Sequence, residues 1–397
     1  MWPLKTLGYV LADFPVFSET FVGNEIRAME AQGHTVVPMA LHRPTGPAQK
    51  DDEALAARTH YVSEASDFAA LKALPALSGS SLDALQFCRA QKGLPLRSLL
   101  GNAMKIARLA HSAGVSHFHA HFSGPAAAHA IVAARLMGVS VSFVCHGHDV
   151  YSEAIDLPQK LAAADFVVAV CDEMAEDLRK LCGSAAISMI PCGIDPEQFT
   201  PRPQQEDNGR LLFIGRLVEQ KGIDDLFTAL NDMGPAMPAI DIVGDGPLKE
   251  KLAALAIRFQ LEDRGLRFLG PKPAEWLAEH GPAYMALVAP FKEASDKSRD
   301  SGPLVAKEAM AMALPVITTD FMGMKETITP SCGYKVPPAD PQALRQTLEQ
   351  FMALSPSARK EMGAAGRARV CDLFTQNAQA RALSARIESI TSHKKAA

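Results

Sequence analysis

The stretch Asp300-Ser-Gly-Pro-Leu-Val-Ala-Lys-Glu-Ala-Met-Ala-Met-Ala-Leu314, closed by Pro315, decides how the rest of the chain is read. Pro303 stands where a helix can begin, with Ser301 or Gly302 as its cap, and helix formers follow to Leu314. Pro315 ends the run before a short apolar strand, Val316 to Thr319. The unpaired amides of such a first turn, with the helix dipole behind them, make a seat for an anion. Asp300 lies just before that seat, and Glu308 lies beyond the first turn on the face of Leu304 and Ala311. A carboxylate can accept hydrogen bonds from a sugar diol, so an acid on each side of an anion seat suits a sugar–phosphate–sugar ligand. By themselves these residues read more readily as a solvated Asp and a surface Glu on an ordinary helix, since charged residues are mostly exposed.

Working outward, the preceding 90 residues repeat a strand–loop–helix pattern. Strands are predicted at Leu211 to Ile214, Ile240 to Val243, Arg267 to Leu269 and Met285 to Ala289, with helices through Leu230 and from Leu248 to Phe259. The first strand opens into Gly215-Arg216-Leu-Val-Glu-Gln-Lys221-Gly222. Arg offers a planar fork and Lys a mobile point charge, a suitable pair for a diphosphate. The second strand ends in Gly244-Asp-Gly-Pro247, which lacks the third glycine of the dinucleotide fingerprint, and no phosphate-binding G-x-x-x-x-G-K-[ST] loop occurs. A charged loop, Phe291 to Arg299, leads into the helix at 303, and helices from Pro341 to Ile390 finish the chain before a basic tail expected to fray from Thr391.

The N-terminal half carries the same alternation. Strands are predicted at Leu7 to Leu11, Thr35 to Leu41, Val141 to Cys145, Phe166 to Val170 and Ile187 to Ile190. Helices are predicted at Thr20 to Gln32 and Asp172 to Leu181. Val115-Ser-His-Phe-His-Ala-His-Phe122 alternates, so His117, His119 and His121 share one strand face. Three such histidines raise a metal-dependent hydrolase as an alternative, but no H-E-x-x-H occurs and the stretch holds no acid to complete a coordination sphere. His146-Gly-His-Asp149 follows a strand's carboxyl end, where open α/β sheets bind ligands. The helix Leu96 to Ala113 sets Arg97, Lys105 and Arg108 against an apolar side of Leu99, Leu100, Ala103, Ile106 and Ala110. That face reads as solvated, or as a surface touching anionic lipid or a lipid-linked acceptor.

Composition sets the outer limits. The chain has 397 residues, 48% hydrophobic and 21% charged, enough for two α/β domains with cores of their own. A net charge of −4 with a pI near 6.3 argues against nucleic acid as a partner. Seven cysteines without C-x-x-C spacing read as reduced thiols, and no run reaches the length of a membrane span, so a cytoplasmic location is expected. The fold class expected is α/β: two doubly wound parallel-sheet, Rossmann-like domains with a cleft between them. The first spans 1–195, a polar linker 196–208, the second 209–375, and a C-terminal helix and tail, 376–397, is expected to pack back on the first domain.

Together these residues resemble the retaining glycosyltransferases of family 4, which have the GT-B architecture. The resemblance is most specific in Gly215-Arg-Leu…Lys221-Gly222, in Gly244-Asp-Gly-Pro247 and in the acidic-x7-Glu spacing that ends at Glu308. In the first half, Phe14-Pro-Val-Phe-Ser-Glu-Thr-Phe21, His119-Ala-His-Phe122 and Pro191-Cys-Gly-Ile-Asp195 are similar to members that build bacterial surface polysaccharides, colanic-acid-like enzymes among them. The resemblance implies that Arg216 and Lys221 hold the diphosphate of a UDP- or GDP-linked sugar and that Glu308 accepts its ribose hydroxyls. Asp300 then contacts the transferred sugar, and His146 approaches that sugar from the first domain. Gly215, Gly244, Gly302, Pro303, Leu304 and Val305 line the donor side, with Ser18, Glu19, His121 and Asp149 as acceptor-side candidates. It further implies a saccharide or lipid-linked saccharide acceptor, no metal or other cofactor, peripheral contact with the cytoplasmic face of the inner membrane, and retention of the donor's anomeric configuration. A non-catalytic nucleotide-sugar binder is a further alternative, and a sugar phosphorylase or nucleotide-sugar epimerase is a closer one on the same fold. Two residues depart from the family pattern: Asp300 replaces the usual Glu, and Pro303 removes one amide from the phosphate seat.

Overall fold

A computed structural model describes residues 5–17, 19–46, 48–66, 78–202 and 207–396. The chain divides into two compact units, Met1–Pro191 with Gln376–Ala397, and Cys192–Thr375. The first break therefore falls four residues before the expected boundary at 195, and the 196–208 stretch expected as a linker belongs to the second unit.

The first unit is built on a seven-stranded sheet whose paired strands are all parallel. Its strands are β1 (Thr6–Asp13), β2 (Thr35–His42), β3 (His60–Tyr61), β4 (His117–His121), β5 (Ser140–Cys145), β6 (Phe166–Ala169) and β7 (Ile187–Met189), in spatial order β3-β2-β1-β4-β5-β6-β7. Chain direction across the sheet reverses between β1 and β4, where doubly wound sheets open a crevice at their carboxyl ends. The strands read as apolar runs because helices cover both faces; β4, β5 and β6 are buried at every position. The helix Leu96–Ser112 corrects one expectation. Leu99, Ala103, Ile106 and Ala110 are buried as the apolar side requires, but Lys105 is buried with them. The basic side thus keeps Arg97 exposed and Arg108 half-buried, too little for a continuous cationic surface.

The helix Gln376–Ala396 belongs to this unit and packs on Thr20–Ala31. Gln32 donates to Asn377 at 2.7 Å, His34 Nε2 meets Ser384 Oγ at 2.8 Å, and Gln379 donates to Glu25 at 2.7 Å. The tail expected to fray from Thr391 continues this helix to Ala396. Among the described residues no helix is long and apolar enough to cross a membrane.

The second unit repeats the plan with six parallel strands: β8 (Arg210–Ile214), β9 (Ala239–Val243), β10 (Leu266–Gly270), β11 (Ala286–Ala289), β12 (Val316–Thr319) and β13 (Gly333–Val336). Their order is β10-β9-β8-β11-β12-β13, so the reversal lies between β8 and β11. Phe213, Phe227, Ile242, Val288, Ile317 and Phe351 are among the side chains filling the core on one side of this sheet, each contributing about 1.5–3 kcal/mol by burial. Inside β9, Asp241 is fully buried and accepts hydrogen bonds from Arg210, Arg267 and Tyr284. Those donors pull its carboxyl below the usual range against the opposing effect of burial, and they tie β8, β9 and β10 together.

Candidate active site

In the second unit the functional side chains gather where β8 and β11 end, at the reversal of strand order. Gly215 and Arg216 follow β8 directly, and a single turn, Glu219–Lys221, returns the chain to the helix Ile223–Asp232. Backbone approach here is close. A Cβ on Gly244, which has φ +144°, would fall 1.9 Å from the Gly215 carbonyl oxygen. A Cβ on Gly222, at φ +64°, would fall 1.9 Å from that of Pro290. These two glycines let the Gly244-Asp-Gly-Pro247 turn and the end of β11 press against the Arg216 loop. Hydrogen bonds from Gly215 N to Val243 O and from Leu217 N to Asp245 O, at 3.0 and 2.9 Å, fasten it.

Lys221 is held along the Gly215 backbone and over the Phe291 ring. Its Nζ lies 2.5 Å from Asp300 Oδ2, with the two side chains 16% and 21% exposed. The cation expected on the diphosphate and the acid expected on the sugar therefore hold one another. Arg216 is exposed, and its guanidinium has no ion pair among the described residues. Glu308 is half-buried on the helix Leu304–Ala311, and none of its neighbours donates a hydrogen bond to its carboxyl among the described residues. Burial pushes that carboxyl up to about 7, with the Lys221 ammonium pulling the other way. Lys221, Asp300 and Glu308 are thus electrostatic neighbours, and Arg216 leaves the same sheet end.

The helix itself differs from expectation at both ends. Pro303 is the cap rather than the first helical residue, and among the described residues no side chain, Ser301 included, bonds the first-turn amides. Ser301 is fully buried with its hydroxyl unpartnered among the described residues, and its carbonyl instead accepts from Gly323. Because Pro303 sits outside the first turn, the amides of Leu304 and Val305 remain, and the proline takes none away. Helical structure stops at Ala311, not Leu314. Ala313 turns left-handed at φ +59°, and Leu314 N reaches back to Ala309 O at 2.9 Å, closing the end without a glycine. On the buried face Lys307 donates to the Cys192 carbonyl at 2.7 Å, fixing the helix to the chain that precedes β8. The loop 291–299 is charged, as expected, but its charges are spent locally. Lys292 pairs with Asp224 and Asp225, Glu293 with Lys297 and Arg299, and Asp296 accepts from the Ser298 amide.

In the first unit β1 and β4 deliver a second polar cluster. His117, His119 and His121 share one face of β4 and are buried. His117 bonds Ser140 and Ser142, and His119 Nδ1 meets the same Ser142 hydroxyl at 2.7 Å. The acid absent from the strand comes from the helix Thr20–Ala31. Glu25 Oε1 lies 3.3 Å from His119 Nε2, 3.2 Å from His121 Nε2 and 3.0 Å from the Tyr9 hydroxyl that donates to it. Burial would raise its carboxyl, but His121 and His119 hold it well below the ordinary value. Glu25, His119 and His121 offer three ligand atoms within 4.8 Å of one another, so the acid that sequence spacing could not find is present. His121 Nδ1 then meets His146 Nε2 at 3.1 Å, with the His146 ring packed between Phe21 and Phe122. Burial, seconded by His121, holds His146 below the usual histidine range.

The acceptor-side candidates separate. Glu19 and His121 line a small cavity of about 50 Å³ with Asp13 and Phe122, and burial raises the Glu19 carboxyl. Asp149 is buried, and its two oxygens accept from the amides of Ser123, His146 and Gly147, shaping the turn that carries His146. Ser18 lies outside the described residues.

Two family descriptions match the chain: residues 18–198 match "Glycosyltransferase Family 4", and residues 208–353 match "Glycosyl transferases group 1". WcaL of Salmonella typhimurium, a glycosyltransferase named for colanic acid biosynthesis, is 28% identical over 97% of this chain and 100% of its own. The amylovoran biosynthesis glycosyltransferase AmsK of Erwinia amylovora is 26% identical over 86% and 89%. Among solved structures, Anabaena HepE in complex with UDP and glucose superposes with a TM-score of 0.73 at 15% identity, covering 97% of this chain and 100% of that one. A glycosyltransferase from Rickettsia africae gives 0.72 at 16% identity over 98% and 99%. Two parallel-sheet units of matching order, an acid–x7–acid helix beside a lysine at the β8–β11 reversal, and these matches across both units agree: the chain belongs to the family 4 glycosyltransferases and has the GT-B fold.

Proposed function

We propose that the protein moves a hexosyl group from a UDP- or GDP-linked sugar to a saccharide or lipid-linked saccharide acceptor, with retention at the anomeric carbon, in the building of a surface polysaccharide. The observation that carries this reading is the convergence of Lys221, Asp300 and Glu308 at one sheet end, with the exposed cation Arg216 beside them. Relatives named for colanic acid and amylovoran biosynthesis support the pathway, and a neighbour named as a UDP and glucose complex supports the donor class.

When the sugar–phosphate bond breaks, positive charge gathers on the ring and negative charge on the diphosphate. Arg216, Lys221 and the first-turn amides of Leu304 and Val305 are fixed dipoles and charges on the side of the leaving group. Lys221 must release Asp300 to serve there, which frees the Asp300 carboxylate to accept from the transferred sugar. Glu308, with no competing donor, takes the ribose hydroxyls. The leaving phosphate accepts the proton of the incoming acceptor hydroxyl, and no side chain is assigned as a nucleophile. The reaction as proposed needs no divalent metal. The protein works at the cytoplasmic face of the inner membrane if its acceptor is lipid-linked.

Donor turnover by purified protein, with and without excess EDTA, tests the reading. Transfer of sugar to a saccharide primer that survives chelation is the expected result. Activity abolished by EDTA and restored by a divalent ion would move the chemistry to Glu25, His119 and His121. Binding of nucleoside diphosphate without any turnover would leave a binder and not an enzyme.

A further inference from the structure

We propose that Glu25, His119 and His121 bind a zinc ion that braces the first unit and takes no part in sugar transfer. The three side chains are 4%, 0% and 2% exposed, so an ion held among them is sealed from substrate and acts on the fold.

Each of the two histidine rings is satisfied on one side only. His119 Nδ1 meets Ser142 Oγ at 2.7 Å, and His121 Nδ1 meets His146 Nε2 at 3.1 Å. The opposite nitrogens, His119 Nε2 and His121 Nε2, are buried and have no hydrogen-bond partner among the described residues. They stand 3.3 and 3.2 Å from Glu25 Oε1, yet neither aligns an N–H on that oxygen. A neutral imidazole carries one N–H. With that proton on Nδ1, shared with Ser142 or His146, each Nε2 presents a bare lone pair beside a carboxylate. Two lone pairs and an anion gathered at one buried place repel one another unless a cation lies among them. Protons on the Nε2 atoms would instead bury two N–H groups with nothing aligned to accept them. A metal ion removes either defect.

Ligand type and spacing agree with zinc. Imidazole nitrogen and carboxylate oxygen bind it at about 2.0–2.2 Å, which sets neighbouring ligand atoms about 3.3–3.5 Å apart in a tetrahedron, against about 3.0 Å in an octahedron. The two nitrogen–oxygen distances, 3.3 and 3.2 Å, are close to the tetrahedral edge, and all three atoms lie within 4.8 Å of one another. Water would take the fourth position. His119 and His121 are two apart on β4 and so share a face, and Glu25 comes from the helix Thr20–Ala31. Each ligand also has the outer partner that metal sites use to fix orientation. Ser142 and His146 hold the rings, and the Tyr9 hydroxyl at 3.0 Å and the Gln379 amide at 2.7 Å donate to the carboxylate. An ion here ties β1, β4, the helix Thr20–Ala31 and the C-terminal helix Gln376–Ala396 together at one point. No cysteine takes part, which distinguishes the site from zinc bound by any of the free thiols.

Metal analysis and melting of the untagged full chain, purified without chelator, test the site without recourse to transfer activity. The expected result is about one zinc per chain, with an X-ray absorption spectrum fitted by nitrogen and oxygen neighbours alone at about 2.0–2.2 Å. Glu25→Gln and His119→Gln should each bind zinc at least about 100-fold more weakly, whereas Ser142→Ala, which loses only an outer partner, should cost about 10- to 100-fold. With free zinc buffered about 100-fold above its Kd, the melting of the first unit should rise by about 5–10 °C over the metal-free chain, and Glu25→Gln should show no such rise. Transfer per folded molecule should be the same in the stripped and the zinc-loaded wild type. Metal-free protein that gains no stability from added zinc, zinc bound through sulfur, or zinc content untouched by Glu25→Gln and His119→Gln would overturn the site. A rate per folded molecule that climbs with zinc would overturn its bracing role. Should the variants fail to fold, the absorption spectrum and the zinc-dependent melting of the wild type decide alone.

Discussion

Replacing Asp300 by Asn should push two measurable quantities in opposite directions. Lys221 Nζ and Asp300 Oδ2 are 2.5 Å apart. At that separation Coulomb's law gives about 1.7 kcal/mol with water's dielectric and about 6.6 kcal/mol at an effective dielectric of ~20. Desolvation and the freezing of two side chains cancel most of this, since exposed pairs measure only about 0.2–1 kcal/mol. For a pair this shielded we take ~1–2 kcal/mol. A diphosphate that claims Lys221 has to break the pair first. Asp300→Asn, which keeps the shape and removes the charge, should then tighten binding of the free nucleoside diphosphate by about 5- to 30-fold. The same change deprives the transferred sugar of a charge-assisted hydrogen bond of about 1.5–3 kcal/mol, so kcat/KM with the full donor should fall roughly 10- to 150-fold. Calorimetry with the diphosphate and steady-state kinetics with the donor read the two arms separately. In a Lys221→Ala background the tightening should vanish, because no pair is left to break. Diphosphate affinity equal to or weaker than wild type in Asp300→Asn would refute the idea that Lys221 exchanges Asp300 for phosphate.

Four further outcomes are expected. Glu308 is held at about 7, above its ordinary 4.5, so its proton is lost later in the folded protein than in the unfolded chain; stability relative to Glu308→Gln should decline as pH rises from about 4.5 to about 7 and then level off, read from Tm across that window. Diphosphate affinity of the wild type should meanwhile improve through pH ~7 beyond any improvement seen in Glu308→Gln. Arg216→Ala should cost roughly 2–4 kcal/mol in the transition state, about 30- to 1000-fold in kcat/KM, with little change in thermal stability because the side chain is exposed and makes no ion pair among the described residues. Gly244→Ala should lower the denaturant midpoint by the equivalent of ~2–4 kcal/mol, whereas Gly270→Ala should cost only about 1–2, since both adopt positive φ but only the first would strike a carbonyl.

Much of this architecture was readable from the residues because strand alternation and helix periodicity are local. The strand Val316–Thr319 and the helix Asp172–Leu181 fall where apolar runs and flanking prolines or acids placed them. The residues expected on the donor side could be grouped from sequence because they sit at element ends, and β8 and β11, three strands apart in the chain, are neighbours in the sheet. What escaped was decided by partners distant in sequence. Glu25 is a helix residue whose neighbours on β4 come more than 90 positions later, and no spacing rule joins the two. Lys105 has the composition of a solvated face, yet its helix is packed so that this position is covered. Asp149 looked like a ligand-facing acid because its neighbours are histidines; three backbone amides had the stronger claim. Ser301 has the ideal chemistry for a cap and the wrong place for it, since Pro303 already adopts the extended backbone of the capping position.

The division of the chain also fixes an order of events during synthesis. Ile194 pairs with Thr375, and Ile194 N bonds Phe374 O, so the second unit leaves and returns at one point and can close on itself once residue 375 is available. The first unit cannot. Its helix Gln376–Ala396 is made only after the whole second unit, and until it arrives His34 lacks Ser384, Gln32 lacks Asn377 and the Glu25 carboxylate lacks Gln379. A ribosome releasing a chain truncated near residue 375 would deliver a finished second unit and a first unit whose histidine cluster is missing one of its donors.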